Sequence, residues 1–180
     1  MTLKELLQDN ENAILQRWFD AAMGTYPDMA VAAFSRQKDP FANPVGHSLR
    51  VGTQGIFAAL LEGPDDAKIR ECLLEIIRIR AVQEISPAAA VAFVFGLRRA
   101  IRAELASAVN DAALSSELAE IEDQIERIAL AAFDIYVECR EQVYELRVNE
   151  VKRQVSWVVD KMNGHDPEPA PRAADSSEGV

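Results

Sequence analysis

The stretch SPAAAVAFVFGLRRAIRAELA, residues 86–106, contains the clearest indication of the architecture. Ser86 and Pro87 form an N-cap and first-turn pair, which is typical of the beginning of an α-helix. The residues from Ala88 to Leu97 carry no charge and are apolar on every side of that helix. Because a helix of this kind must be surrounded by other elements, we expect one helix over residues 87–106 at the centre of the domain.

Further helices are predicted on both sides of this central one, separated by glycine and proline. Thr2 and Glu5 form a capping-box pattern that begins a first helix, which we expect to end near Gly24. A short helix is expected over residues 28–35. Two more helices follow, and 3-4 spacing predicts their buried residues. These are Val45, Leu49, Ile56 and Leu60 on one helix, and Ile69, Leu73, Ile76 and Ile77 on the next. No stretch alternates like a strand, so we predict an all-α fold.

The last helix is predicted to be unusually long, because no glycine or proline interrupts the chain from Ser115 to Met162. It would extend about 72 Å, whereas a domain of this size is roughly 40 Å across. A first apolar stripe, from Leu118 to Cys139, can pack on the domain. A second stripe, shifted in phase, is expected beyond the domain and would need a partner helix. It consists of Val148, Val151, Val155, Val158 and Met162, and it predicts a homodimer.

Composition restricts the classes of function. The formal net charge of −10 argues against nucleic-acid binding, which needs clustered basic residues. The amino terminus lacks the apolar core of a signal peptide, and no uncharged stretch approaches the 20 or so residues that span a bilayer. We therefore expect a cytoplasmic protein without membrane insertion. Residues 1–162 are predicted to form one helical domain, and residues 163–180, rich in proline, a disordered tail.

Few residues of the chain have the types and spacing that chemistry requires. His47 follows a rigid loop and is a poor proximal ligand for haem, so no cofactor is expected. Glu138, Glu141 and Glu145 fit a solvated face better than a metal site, because no glutamate has a histidine three residues later. Cys139 fits a buried core position better than a reactive thiol. No phosphate-binding, dinucleotide-binding or nucleophile motif is present, which predicts a protein that is not an enzyme.

Arginines are concentrated on two neighbouring helices. Arg78 and Arg80 lie on an otherwise apolar stretch, and Arg98, Arg99 and Arg102 follow on the next helix. In an acidic protein such arginines usually pair with carboxylates. The alternative is a site for an acidic partner or an anionic ligand, formed by Arg78, Arg80, Arg98 and Arg99.

Three stretches together resemble a known family. They are KDPFANPVGH (38–47), IIRIRAVQEISPAAAVAFVFGLRRAIR (76–102) and AFDIYVECREQVYELRVNEVKR (132–153). They are similar to the RsbT co-antagonist (RsbRD) N-terminal domain family, the amino-terminal domain of RsbR-type stressosome proteins. The resemblance implies a globin-like helical fold without haem, dimerisation and a sensory role. Stressosome members continue into a STAS output domain, and since this sequence shows none, we expect a separate regulatory protein partner.

Two hypotheses of function follow from this resemblance. The first is a non-catalytic, dimeric regulatory domain that acts through protein–protein contacts. The alternative is a small-molecule sensor, with a ligand between the helices of a globin-like fold. An apolar pocket near Phe93, Phe95 and Phe133, with an arginine at its mouth, would favour the sensor.

Overall fold

The structure, a computed structural model, describes residues 2–26, 43–63, 65–83, 85–106 and 112–162. Every regular element in these ranges is an α-helix, which confirms the all-α prediction. The helices are α1 (Leu3–Asp9), α2 (Glu11–Met23), α3 (Pro44–Glu62), α4 (Asp66–Val82), α5 (Pro87–Val91), α6 (Phe93–Glu104) and α7 (Ala112–Met162). None of the described helices is both long and apolar enough to cross a membrane. The short helix expected over 28–35 and the tail expected over 163–180 lie outside the described residues.

The first predicted helix is in fact two helices, α1 and α2, with a junction at Asn10. The predicted capping box is confirmed, because the Thr2 hydroxyl accepts from the Glu5 amide while the Glu5 carboxylate accepts from the Thr2 amide. At the junction, Nδ2 of Asn10 donates to the Leu6 carbonyl at 2.8 Å. Asparagine side chains offer the backbone such local bonds and therefore compete with helix continuation.

The central helix is also interrupted, at Ala92 between α5 and α6, where one continuous helix was predicted. Two buried side chains supply hydrogen-bond donors to the carbonyls around the break. The Arg80 guanidinium donates to the carbonyls of Ala89 and Ala90, each at 3.3 Å. The Trp18 indole donates to the Phe93 carbonyl at 2.7 Å. Because these carbonyls have side-chain donors, the helix can break inside the core without leaving them unsatisfied. The predicted central position is confirmed by the burial of Phe93, Val94, Leu97 and Ile101.

Helices α3 and α4 pack closely against each other. A Cβ atom built on Gly52 would lie 2.6 Å from the Ile76 side chain and 3.0 Å from the Cys72 carbonyl. The absence of a side chain at Gly52 therefore sets how near the two helices come. The stripes predicted on these helices are buried, except that Val45 is half-buried.

The chain divides into two units, Met1–Val143 and Tyr144–Val180. In the first unit, the residues of the predicted first stripe of α7 are buried, apart from Ile121, which is partly buried. This stripe packs against the rest of that unit, where the Leu3 amide donates to Glu117 at 3.0 Å and the Tyr136 hydroxyl to the Ile85 carbonyl at 3.2 Å. In the second unit, the described side chains from Tyr144 to Met162 are all exposed.

Candidate functional site

The four arginines that were predicted as a candidate ligand or partner site occupy different environments. Arg78 and Arg99 are exposed, Arg98 is half-exposed, and Arg80 is completely buried. The two exposed arginines remain accessible to an acidic partner. Arg80 has no exposed surface through which it could meet one.

Arg98 and Arg102 join α6 to α7 through carboxylates. These two arginines follow the expectation that arginines in an acidic protein pair with carboxylates. Both guanidinium groups bind Glu122, Arg98 at 3.2 Å and Arg102 through a two-pronged contact, and Arg98 also reaches Glu126 at 3.5 Å. Only 7% of Glu122 is exposed. The hydrogen bond from Arg102 is the largest cause of a lowered pKa at Glu122, with desolvation opposing it and Arg98 contributing further. Glu122 is therefore ionised at neutral pH and ties the two helices together.

Arg80 is a charged residue that is completely buried in the first unit. Besides the carbonyls of Ala89 and Ala90, its guanidinium donates to the Ala22 carbonyl at 3.2 Å. Its central carbon lies 4.9 Å from the centre of the Phe93 ring and 5.1 Å from that of the Tyr26 ring. No carboxylate of a described residue forms an ion pair with it.

Burial determines the protonation behaviour of Arg80 and its neighbour. Desolvation lowers the pKa of Arg80, and Tyr26 partly offsets this effect. Desolvation likewise raises the pKa of Tyr26, against the attraction of the nearby guanidinium. Aromatic faces and carbonyl oxygens can stabilise a buried cation. We conclude that Arg80 organises the core and joins the ends of α2, α4 and α5.

The three phenylalanines of the expected pocket occupy different environments. Phe93 is buried and stacks on Trp18, with ring centres 6.3 Å apart. Phe95 and Phe133 are 43% and 44% exposed.

A groove of about 570 Å³ lies elsewhere, between α4 and α7. It is lined by Asp66, Ile69, Arg70, Gln124, Arg127, Ile128 and Ala131. No local sequence pattern indicates this groove, because its residues come from two stretches more than fifty positions apart. Its volume is within the range of small-molecule sites.

The histidine, glutamate and cysteine candidates lie in environments that do not form a catalytic or metal site. His47 is exposed on α3, as are Glu138, Glu141 and Glu145 on α7. Among described residues, no group of three or more histidine, cysteine, aspartate or glutamate side chains could hold a metal ion. Cys139 is buried, as predicted, and desolvation is the main cause of its raised pKa. A raised pKa opposes thiolate formation, so Cys139 is not an activated nucleophile.

The second unit presents the residues predicted as a dimer interface. Val148, Val151, Val155 and Val158 are about half exposed, and Met162 is 81% exposed. Tyr144, Leu146, Trp157 and Val159 are exposed as well, and were not part of the predicted stripe. In the first unit, α7 also exposes Leu130, Phe133 and Val137, which follow the same 3-4 spacing.

Comparison with known proteins assigns the chain to a family. The model of the RsbT co-antagonist protein rsbRD N-terminal domain matches residues 12–151, well over half of the 180 residues. No curated protein and no solved structure matches. The matched region includes the break at Ala92, the buried Arg80 and the groove between α4 and α7. The chain thus belongs to the RsbT co-antagonist protein rsbRD N-terminal domain family, a family of regulatory, stressosome-related domains.

Proposed function

We propose that this protein is a non-catalytic regulatory module with a globin-like, haem-free fold, which acts as a homodimer in the cytoplasm. In this proposal it receives a signal and passes it to a separate regulatory protein. Membership of a regulatory family supports the class of function. The exposed valines between Tyr144 and Met162 support the mode of action, because a regular apolar stripe in water is stabilised by association.

The proposed dimer contact is the set Val148, Val151, Val155, Val158 and Met162. These residues recur at the 3-4 spacing of helices that pair side by side. Burial of one valine contributes up to about 1.5–3 kcal/mol relative to full exposure, so burial of the whole stripe would offset much of the free-energy cost of association. The charged residues between them, such as Glu150 and Arg153, form an ion pair and keep the rest of the surface polar.

The dimer is tested by Val155→Asp, compared with Asn149→Asp. Both changes add one negative charge to an exposed position of the same helix, but only Val155 belongs to the stripe. We expect light scattering to show a dimer for the wild type and for Asn149→Asp at micromolar concentration, and a monomer for Val155→Asp. A monomeric wild type would overturn the dimer, and a dimer that tolerates Val155→Asp would place the contact elsewhere.

Transfer of the signal to a partner is tested by truncation after Val143. The removed segment contains the exposed charges Glu145, Arg147, Glu150 and Lys152, which can select a charged partner. We expect the full chain to capture a regulatory protein from native lysate and the truncated chain to lose it. Capture of the same protein by the truncated chain would contradict this part of the proposal.

The second candidate function, a small-molecule sensor, is supported by the groove between α4 and α7. The groove combines a partly apolar floor with several polar groups, which is the usual composition of a ligand site. It lies in the first unit, so a ligand there would contact the same helix that joins α6 through Glu122. In this proposal, ligand and partner act on one regulatory module.

A further inference from the structure

The groove between α4 and α7 has an apolar floor and a charged rim. Ile69 and Ile128 form the floor, with 8% and 4% of their surfaces exposed, and the half-buried Ala131 extends it. The rim carries Arg70 and Arg127, together with Asp66 and Gln124. An occupant would therefore meet apolar surface along its length and polar groups at its edge.

The charges of the rim do not balance one another. Arg70 donates to Glu138 at 2.5 Å, so its charge is paired. Asp66 is the first residue of α4, where the helix N-terminus stabilises a carboxylate. The Arg127 side chain is exposed and makes no ion pair or hydrogen bond with any residue of the described ranges. Among the described residues, the Arg127 guanidinium at the edge of the groove consequently has no direct partner.

We propose that this groove binds a small organic monocarboxylate with an apolar chain. The carboxylate pairs with the Arg127 guanidinium, the Gln124 amide donates a further hydrogen bond, and the chain lies on Ile69, Ile128 and Ala131. A single negative charge fits better than a phosphate dianion, because Asp66 also lines the groove and repels a second charge. This inference rests on the second candidate function, to which it adds the class of the ligand.

Hexanoate is a suitable probe, with hexanamide as its neutral analogue of nearly the same shape. We expect titration of the full chain, followed by amide NMR signals, to show saturable binding of hexanoate. The perturbed signals should cluster at residues 66–70 and 124–131. Loss of a charge-assisted hydrogen bond weakens binding by about tenfold or more, so hexanamide should bind that much more weakly.

Three variants locate the contact. Arg127→Gln should reduce hexanoate affinity to that of hexanamide, whereas Arg50→Gln, an equal charge change at an exposed position of α3 outside the groove, should leave it unchanged. Ala131→Phe fills the groove without altering charge and should abolish binding. Circular dichroism establishes that each variant remains folded.

Two results would overturn the inference in distinguishable ways. If hexanamide binds as tightly as hexanoate, or Arg127→Gln binds hexanoate like the wild type, the carboxylate assignment is wrong while the groove remains a ligand site. If neither compound binds, or Ala131→Phe still binds hexanoate, the groove is not the ligand site and the second candidate function loses its support.

Discussion

At the scale of single residues, Arg80 and Arg98 show how environment decides the role of an arginine. Both lie in helices and were grouped by sequence as one candidate site. Arg98 reaches carboxylates across α6 and α7, whereas Arg80 points into the core and binds carbonyl oxygens. The difference depends on which side of its own helix each arginine occupies, because the core side of α4 meets other helices while Arg98 lies on a side of α6 that is partly open to solvent.

Arg80→Met is predicted to destabilise the protein. The carbonyls of Ala89 and Ala90 would lose their side-chain donor, and an unsatisfied buried group costs about 1–3 kcal/mol. The Ala22 carbonyl would still accept from the Thr25 hydroxyl at 2.7 Å. Removal of the buried charge offsets part of that loss, so we expect a net decrease of about 2 kcal/mol in the free energy of unfolding. Arg78→Met, an exposed position two residues earlier, should change it by less than about 0.5 kcal/mol. Urea unfolding at neutral pH measures the free energy of unfolding of both variants. Equal stability of the two variants would contradict the role of Arg80 in organising the core.

Glu122 is predicted to make stability depend on pH in the acid range. Its pKa is lowered in the folded protein from an ordinary value of 4.5, so its ion pairs stabilise the fold above that pH. This contribution is lost as the pH falls through the lowered pKa, because the carboxylate becomes protonated. Glu122→Gln should cost about 1 kcal/mol at pH 7, since its partner arginines are partly exposed and screened by solvent.

The measurement for Glu122 is urea unfolding of wild type and variant from pH 7 to pH 3. The difference between them should shrink in acid. Glu126→Gln is the matched control, because the Glu126 side chain is 58% exposed and its contact with Arg98 is long, at 3.5 Å. A constant difference across this pH range would show that Glu122 acts through packing and not through its charge.

At the scale of elements, the pairing of α3 with α4 depends on glycine. Gly52→Ala would improve helix propensity by up to about 1 kcal/mol. It would also place a methyl group 2.6 Å from Ile76, and such overpacking costs about 1–3 kcal/mol. We expect net destabilisation, seen as a lower denaturation midpoint. In a protein that already carries Ile76→Ala, Gly52→Ala should lower the stability much less. If the stability losses of the two single variants simply add in the double variant, the two side chains do not meet.

At the scale of the whole molecule, the first unit is predicted to fold without the second. The buried hydrophobic residues described in the structure run from Leu3 to Cys139, all before the boundary at Val143. A chain that ends at Val143 should therefore unfold cooperatively and keep the near-ultraviolet circular dichroism produced by the buried Trp18, although the exposed Trp157 is removed. A non-cooperative transition would show that residues after Val143 are needed for the core. Dimer loss in the same chain is measured separately, by light scattering.

Local sequence pattern was sufficient for the fold class, the capping box, the buried stripes of α3, α4 and α7, and the long final helix. Each of these depends on neighbours within a few positions, where helical periodicity, proline and glycine act. The family assignment could also be reached from the sequence, through the residues of three long stretches. The stripe from Val148 to Met162 was found in the same way, and its partner remains a prediction.

Only the tertiary structure revealed the breaks at Asn10 and Ala92, the burial of Arg80 and the groove beside Arg127. At Ala92, helix propensity favours continuation, but donors from Trp18 and Arg80, distant in sequence, satisfy the carbonyls of a broken helix. The groove needs α4 and α7 to lie side by side, and no periodicity within either helix encodes that neighbour. Interactions between residues far apart in the chain therefore decide these features, because their energies depend on which surfaces packing brings together.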